Sequence, residues 1–119
     1  MKKVTMYQYA KCGTCRQAVK LLANNGYDVH SIEIFDNPPD LQTLTELIRM
    51  SGLTLKKFFN TSGEVYKEMN LKDKLADMSD EEKIALLSSN GRLIKRPIVT
   101  DGKQVTVGFK EDQYQDIWS

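Results

Sequence analysis

The first 35 residues exclude most fold classes, because they place a strand, a helix and a second strand in immediate succession. Residues 3–9 and 28–35 alternate between apolar and polar side chains, which is typical of half-buried β-strands. Between them, residues 13–25 repeat apolar side chains at helical spacing and end in Asn-Asn-Gly, which predicts a helix. Three such segments this close together predict a βαβ unit with two parallel strands.

The only two cysteines of the chain, Cys12 and Cys15, lie at the turn from the first strand into this helix. A helix N-terminus presents unpaired N–H groups and a partial positive charge, and the neighbouring Lys11 and Arg16 add two cations, so the thiolate is favoured. We therefore expect Cys12 to be a nucleophile. Cys15, one helical turn further on, is placed to attack a mixed disulfide on Cys12. The alternative is that Cys12 is inert and Cys15 is a partly buried cysteine without a partner.

Composition narrows the class of protein. A length of 119 residues predicts one domain, and 17 basic against 16 acidic residues give a net charge of +1, which predicts no broad nucleic-acid surface. We find no 18-residue apolar run and no signal-peptide pattern, so we expect a cytoplasmic protein outside the membrane, where structural disulfides are uncommon. Two cysteines and the single histidine, His30, fall short of the four ligands of a zinc site, so we expect no metal.

The rest of the chain reads mainly as helices followed by a hairpin. Asp40 is a predicted N-cap of a helix that ends at Gly52, and Ser79 with Glu82 forms a predicted capping box for a helix to residue 89. Short helical pieces are predicted at 53–60, 64–69 and 71–75. Residues 98–100 and 104–107 read as antiparallel strands joined at Asp101-Gly102, and 110–118 as a last helix. We predict an α/β (α+β) fold with a four-stranded mixed sheet. In this single domain, residues 1–36 and 92–119 build the sheet, and 37–91 form an inserted helical subdomain.

Three motifs occur together in a fixed order. They are Cys12-Gly13-Thr14-Cys15-Arg16, Asn37-Pro38-Pro39 and Arg96-Pro97-Ile98-Val99. On these motifs the chain resembles the arsenate reductase (ArsC) family, including its Spx and MgsR-type relatives and uncharacterised reductase-like members. Phe59 to Gly63 and Gly108-Phe109 strengthen the likeness to the Spx-type members and to the uncharacterised reductase-like members. The resemblance covers essentially the whole chain, and it implies a thioredoxin/glutaredoxin-like fold.

The resemblance also implies roles for individual residues. Cys12 matches the family nucleophile, and the Arg96-Pro97 bond corresponds to the cis-proline beside the active cysteine. The substrate-binding candidates are Gly13, Thr14, Arg16, Asn60, Arg96 and Pro97. Four of them have an alternative: Gly13 and Thr14 as turn residues, Arg96 as a surface ion-pair partner, and Asn60 as part of a helix stop.

This chain departs from the family pattern of the glutathione-linked arsenate reductases at three places. Those enzymes carry serine where this chain has Cys15. They also use three arginines for the oxyanion, of which one matches Arg96, one falls on Asn60, and the third has no arginine counterpart near Gly108. Each missing charge-assisted contact weakens oxyanion binding by about 1.5–3 kcal/mol. The departures therefore argue against arsenate as the substrate.

Three functions are consistent with these features. The first is a thiol-dependent reductase without a bound cofactor, reset by glutathione, glutaredoxin or thioredoxin and acting as a monomer. The second is an Spx-like redox-sensing regulator that binds RNA polymerase and makes no direct contact with nucleic acid. The third is a domain that only binds a partner protein, without any use of its cysteines.

Overall fold

The computed structural model describes residues 2–119, and these divide into two compact units. The first unit comprises the chain up to Glu33 together with Arg96–Ser119, and the second comprises Ile34–Lys95. The predicted single domain, with sheet residues 1–36 and 92–119 and a helical insertion at 37–91, stays a prediction.

The first unit holds the whole sheet and two helices. Its elements are β1 Lys2–Gln8, α1 Gly13–Asn24, β2 Tyr27–Glu33, β3 Ile98–Thr100, β4 Val105–Val107 and α6 Glu111–Ile117. The strand order is β2-β1-β3-β4; β1 and β2 are parallel, whereas β3 is antiparallel to both β1 and β4. The predicted class, a four-stranded mixed sheet in an α/β (α+β) fold, is confirmed.

One face of this sheet packs against α1 and α6. The buried side chains are mostly apolar, and they come from alternate positions of β1 and from helical spacing in α1, so each element turns one face inward. The cluster comprises Val4, Met6, Cys15, Ala18, Leu22, Val99, Tyr114 and Trp118. The Trp118 indole N–H donates to the Thr106 hydroxyl at 3.0 Å, and this bond satisfies two polar groups inside the core.

The second unit is built from short helices. They are α2 Leu41–Ser51, a 3₁₀ turn Leu55–Phe58, α3 Glu64–Glu68, α4 Leu71–Lys74, a 3₁₀ turn Leu75–Asp77, α5 Asp80–Ser89 and a 3₁₀ turn Gly91–Leu93. No helix within residues 2–119 combines the length and the apolar character that crossing a membrane requires.

The predicted helix boundaries of this unit rest on caps that the structure contains. The Asp40 carboxylate accepts from the Thr43 N–H at 2.8 Å, and Gly52 ends α2 in the left-handed region with φ 68°. At α5, Ser79 and Glu82 exchange two hydrogen bonds of 3.2 Å, which completes the capping box. These three cap predictions are confirmed.

Two local predictions differ from the structure. The hairpin pairs Thr100 with Val105, so its loop has four residues rather than a two-residue turn at Asp101-Gly102. The Asp101 carboxylate accepts the N–H groups of Lys103 and Gln104, both at 2.8 Å, and these bonds hold the wider loop. The 3₁₀ turn Gly91–Leu93 was not predicted, although the Asn90 side chain begins it by accepting from the Arg92 N–H at 3.0 Å.

Candidate functional site

The candidate site is the corner between β1 and α1. Cys12 is the N-cap residue of α1, with extended backbone angles of φ −84° and ψ 123°. Its N–H donates to the Tyr9 carbonyl at 2.9 Å, and its carbonyl accepts from the Arg16 N–H at 3.1 Å. The first bond closes the turn that leaves β1, and the second begins the helix. The sulfur is therefore fixed at the positive end of a twelve-residue helix.

The Cys12 thiol is acidic because several donors surround its sulfur. Partial burial acts to raise its pKa, and four contacts outweigh that effect: the Thr14 hydroxyl at 3.1 Å, the backbone N–H of Cys15, the Cys15 thiol and the charge of Arg96. The pKa of Cys12 consequently falls from 9.0 to about 7. Near neutral pH, about half of the protein carries a reactive thiolate at this position.

Cys15 has the opposite character. Its side chain is fully buried among Val4, Met6, Ala18 and Leu22. This burial is the main cause that raises its pKa, the nearby Cys12 sulfur acts in the same direction, and the pKa reaches about 12. Both cysteines are free thiols in the structure. The predicted internal disulfide therefore stays a prediction. The two sulfurs interact but titrate far apart, which separates one reactive thiol from one protected thiol.

Arg96 and Pro97 reach the same corner through strand pairing. Because β3 is antiparallel to β1, with Tyr7 opposite Ile98, the residues before β3 lie beside those after β1. The Arg96 guanidinium lies 5.7 Å from the centre of the Tyr9 ring, and its charge lowers the pKa of Cys12. The Arg96–Pro97 peptide bond is cis, as the family resemblance implies, and Pro97 is buried.

The Arg16 side chain is bound to the loop before Cys12, although its position in the sequence suggests that it faces the Cys12 sulfur. Its guanidinium donates to the carbonyl of Ala10 at 3.1 Å and to that of Lys11 at 3.3 Å, so it holds the loop before Cys12. The positive charge that lowers the Cys12 pKa is that of Arg96, which is 84 positions away in the sequence. The predicted substrate contact of Arg16 stays a prediction.

The remaining predicted residues fall into two groups. Gly13 and Thr14 are exposed in the first turn of α1, and a Cβ atom at Gly13 would meet no atom within 4 Å, so this side of the site is open. Asn60 belongs to the second unit, where its backbone N–H donates to the Leu93 carbonyl at 2.7 Å. Substrate binding by Gly13, Thr14, Asn60, Arg96 and Pro97 remains a prediction.

One residue of the corner was not predicted from the sequence. Glu33 ends β2, and one of its carboxylate oxygens accepts from the Ala10 N–H at 3.4 Å. Parallel strands end at the same edge of a sheet, so the last residue of β2 was a signal available in the sequence. Glu33 and Arg16 thus hold the two peptide units that flank the Ala10 Cα atom. Across residues 2–119, no three His, Cys, Asp or Glu side chains are grouped as metal ligands.

Comparisons with known proteins agree with this arrangement. The sequence model of the ArsC family matches residues 7–117. The "Uncharacterized protein YusI" of Bacillus subtilis is 54% identical over 116 residues, covering 98% of both chains. The "Global transcriptional regulator Spx" of Listeria monocytogenes is 27% identical over 110 residues, covering 92% of this chain and 82% of that protein.

Solved structures show the same fold. An ArsC family related protein from Bacteroides fragilis superposes with a TM-score of 0.91 at 45% identity, covering 98% of each chain. An arsenate reductase from Vibrio cholerae superposes with a TM-score of 0.87 at 30% identity, again covering 98% of each chain. These matches confirm the predicted thioredoxin-like fold.

Proposed function

This chain belongs to the ArsC family, and from that membership and the geometry of its cysteine corner we propose that it is a thiol-dependent oxidoreductase. One observation carries the proposal: two thiols three residues apart have pKa values of about 7 and about 12. Such a pair suits a two-step reaction in which one sulfur attacks substrate and the other waits in protonated form.

In the first step, the Cys12 thiolate attacks one sulfur of a disulfide substrate. The Cys12–substrate bond forms, the substrate S–S bond breaks, and the departing thiolate takes a proton from solvent. The charge on Cys12 disappears in this mixed disulfide. Because that charge and the Cys12 contact both raise the pKa of Cys15, the second thiol becomes easier to deprotonate once the first step is complete.

In the second step, Cys15 loses its proton and attacks the Cys12 sulfur. The Cys12–Cys15 disulfide forms and the second half of the substrate leaves as a thiol, so two electrons have passed from protein to substrate. An external thiol then restores the reduced state. We propose glutathione, glutaredoxin or thioredoxin for this role. Because these reductants belong to the cytoplasm, we also propose that the protein acts there, as a monomer.

A disulfide is favoured over arsenate as the substrate. Arg96 is the single arginine of the family's oxyanion set that this chain retains, and Cys15 replaces the serine of the glutathione-linked enzymes. The missing arginines weaken the binding of an oxyanion. The cysteine at position 15 supplies an internal resolving thiol, which a serine cannot do.

The test is turnover of bis(2-hydroxyethyl) disulfide, and separately of arsenate, by purified protein with glutathione, glutaredoxin or thioredoxin as reductant. Cys12→Ser should abolish turnover. Cys15→Ser should retain the first step and accumulate a mixed disulfide that mass spectrometry detects. Absence of any turnover beyond the Cys12→Ser background would reject the proposal.

A second candidate function is supported by the similarity to Spx, which covers 92% of this chain. In that version the cysteine pair senses oxidation, and the protein binds RNA polymerase instead of turning over substrate. The deciding experiment is an affinity purification from oxidised and from reduced lysate. Recovery of no polymerase subunit under either condition would count against it, whereas oxidation-dependent recovery without disulfide turnover would favour it.

A further inference from the structure

The second unit contains a pocket that the proposed redox chemistry does not use. Its volume is about 260 Å³, and its walls come from five segments of this unit, including the 3₁₀ turn at Leu55–Phe58, α3, α4 and α5. The side chains that matter for its chemistry are Lys56, Phe59, Tyr66, Lys72, Leu75 and Lys83. We propose that this pocket binds a small aromatic anion, that is, a single ring bearing a phosphate or carboxylate group.

The charge of the pocket supports an anionic ligand. Lys56, Lys72 and Lys83 come from three different elements, and no acidic side chain lines the pocket. Within residues 2–119, none of these three ammonium groups forms a salt bridge. Three like charges around one concavity repel each other, and a bound anion relieves that repulsion while the walls limit its exposure to water.

The apolar wall supports an aromatic ligand. Phe59 and Tyr66 are 2% and 7% exposed, and their rings meet edge to face with centroids 6.3 Å apart. Leu75 adds an aliphatic surface. A ring in this position gains both buried apolar area and ring contacts, which a bare phosphate ion does not.

Tyr66 also offers a hydrogen-bond donor. Its ring is largely buried, but its hydroxyl is not among the buried polar atoms that lack a partner. Because this hydroxyl forms no hydrogen bond within residues 2–119, it is open to solvent and can donate to a ligand. An anionic oxygen bound between the lysines is a suitable acceptor for this O–H group.

The size of the pocket argues for a small molecule. Pockets for drug-sized ligands are commonly about 300–1,000 Å³, and this one lies just below that range. A single ring with one charged group suits such a volume. A peptide would require an extended surface, so an acidic peptide serves as the alternative ligand in the test.

The experiment is a titration of ¹⁵N-labelled protein with phenyl phosphate, followed by amide chemical shifts. We expect saturable shifts at the residues that line the pocket, weakened by added salt. Benzyl alcohol carries the ring alone and inorganic phosphate the charge alone. Each should bind at least about tenfold more weakly than phenyl phosphate, since each lacks one of the two interactions.

Matched lysine variants locate the site. Lys56→Gln and Lys72→Gln should each weaken phenyl phosphate binding by about fivefold, a size expected for a partly exposed charge pair. Lys57→Gln and Lys74→Gln remove the same charge from the same two elements, but these residues do not line the pocket. They should change binding by less than about twofold. Tyr66→Phe should weaken binding by about threefold through loss of the hydroxyl alone.

Three results would overturn the proposal. They are equal effects of the control and pocket variants, chemical shifts centred on the cysteine corner, and tighter binding of a glutamate-rich peptide than of phenyl phosphate. Cys12→Ser should leave phenyl phosphate binding unchanged, so this site succeeds or fails independently of the redox proposal.

Discussion

The hydroxyl of Thr14 is expected to lower the pKa of the Cys12 thiol, and the Thr14→Val variant tests this directly. The two side-chain atoms are 3.1 Å apart. Once Cys12 has lost its proton, only the hydroxyl can donate, so the bond stabilises the thiolate over the thiol. Valine keeps the shape of threonine and removes this donor.

The size of the effect follows from the value of one hydrogen bond. A bond to a charged acceptor contributes about 1.5–3 kcal/mol, and partial exposure of Cys12 reduces this to about 1 kcal/mol. One pKa unit corresponds to about 1.4 kcal/mol, so the pKa of Cys12 should rise by about 0.7 unit. At pH 7 the thiolate fraction would then fall from about one half to about one sixth.

The assay is the rate of alkylation by iodoacetamide between pH 5 and pH 10. For the native protein, the rate should rise through a midpoint near pH 7, because the thiolate is the reactive form and its fraction grows as pH increases. A thiolate of higher pKa is also intrinsically more nucleophilic, by about twofold for a shift of this size. The variant should therefore react more slowly at low pH and faster on the high-pH plateau, so the two curves cross.

Thr14→Ser provides the matched control, since it keeps the hydroxyl and should leave the midpoint within about 0.2 unit of the native value. If Thr14→Val titrates at the native midpoint, the hydroxyl does not stabilise the thiolate, and the low pKa of Cys12 must have another cause.

Three further predictions concern other parts of the chain. Arg96→Gln should raise the pKa of the Cys12 thiol by a few tenths of a unit, because it removes a nearby positive charge, and an unchanged alkylation midpoint would contradict this. Ser79→Ala should lower the free energy of unfolding in urea by about 1 kcal/mol through loss of the capping box, with no loss indicating that the cap does not contribute. Gly91→Ala should cost about 3 kcal/mol in the same assay, because the new Cβ atom would overlap a neighbouring backbone carbonyl oxygen. Gly13→Ala, where that space is empty, should stay within about 1 kcal/mol of the native protein, and equal effects at both glycines would refute the steric argument.

Much of the fold was predictable because its signals are local. The alternation in β1 and β2, the helical spacing in α1 and the caps at Asp40 and Ser79 each depend on residues within one turn or one strand. Tyr114 and Trp118, near the end of the chain, are buried in the core, as large aromatic side chains commonly are.

The parts that were missed depend on long-range packing. Arg96 reaches Cys12 only because β3 pairs with β1, and no pattern near either residue shows that its charge lowers the pKa of the thiol. Arg16 lies four positions after Cys12 and is an obvious candidate for that role, yet its guanidinium is held by two loop carbonyls. Position in the sequence indicated which cysteine is the more acidic one, but not which groups lower its pKa.

The burial of Cys15 joins the redox equilibrium of the proposed reaction to the folding equilibrium of the first unit. If its sulfur leaves the cluster to bond with Cys12, the oxidised protein loses part of the core packing that the reduced protein retains. By reciprocity, a tighter core favours the dithiol form and makes the protein a weaker reductant, whereas a looser core makes it a stronger one. Relatives with identical cysteines can therefore differ in reducing strength. Substitutions at buried apolar positions, far from any substrate, are sufficient to produce the difference.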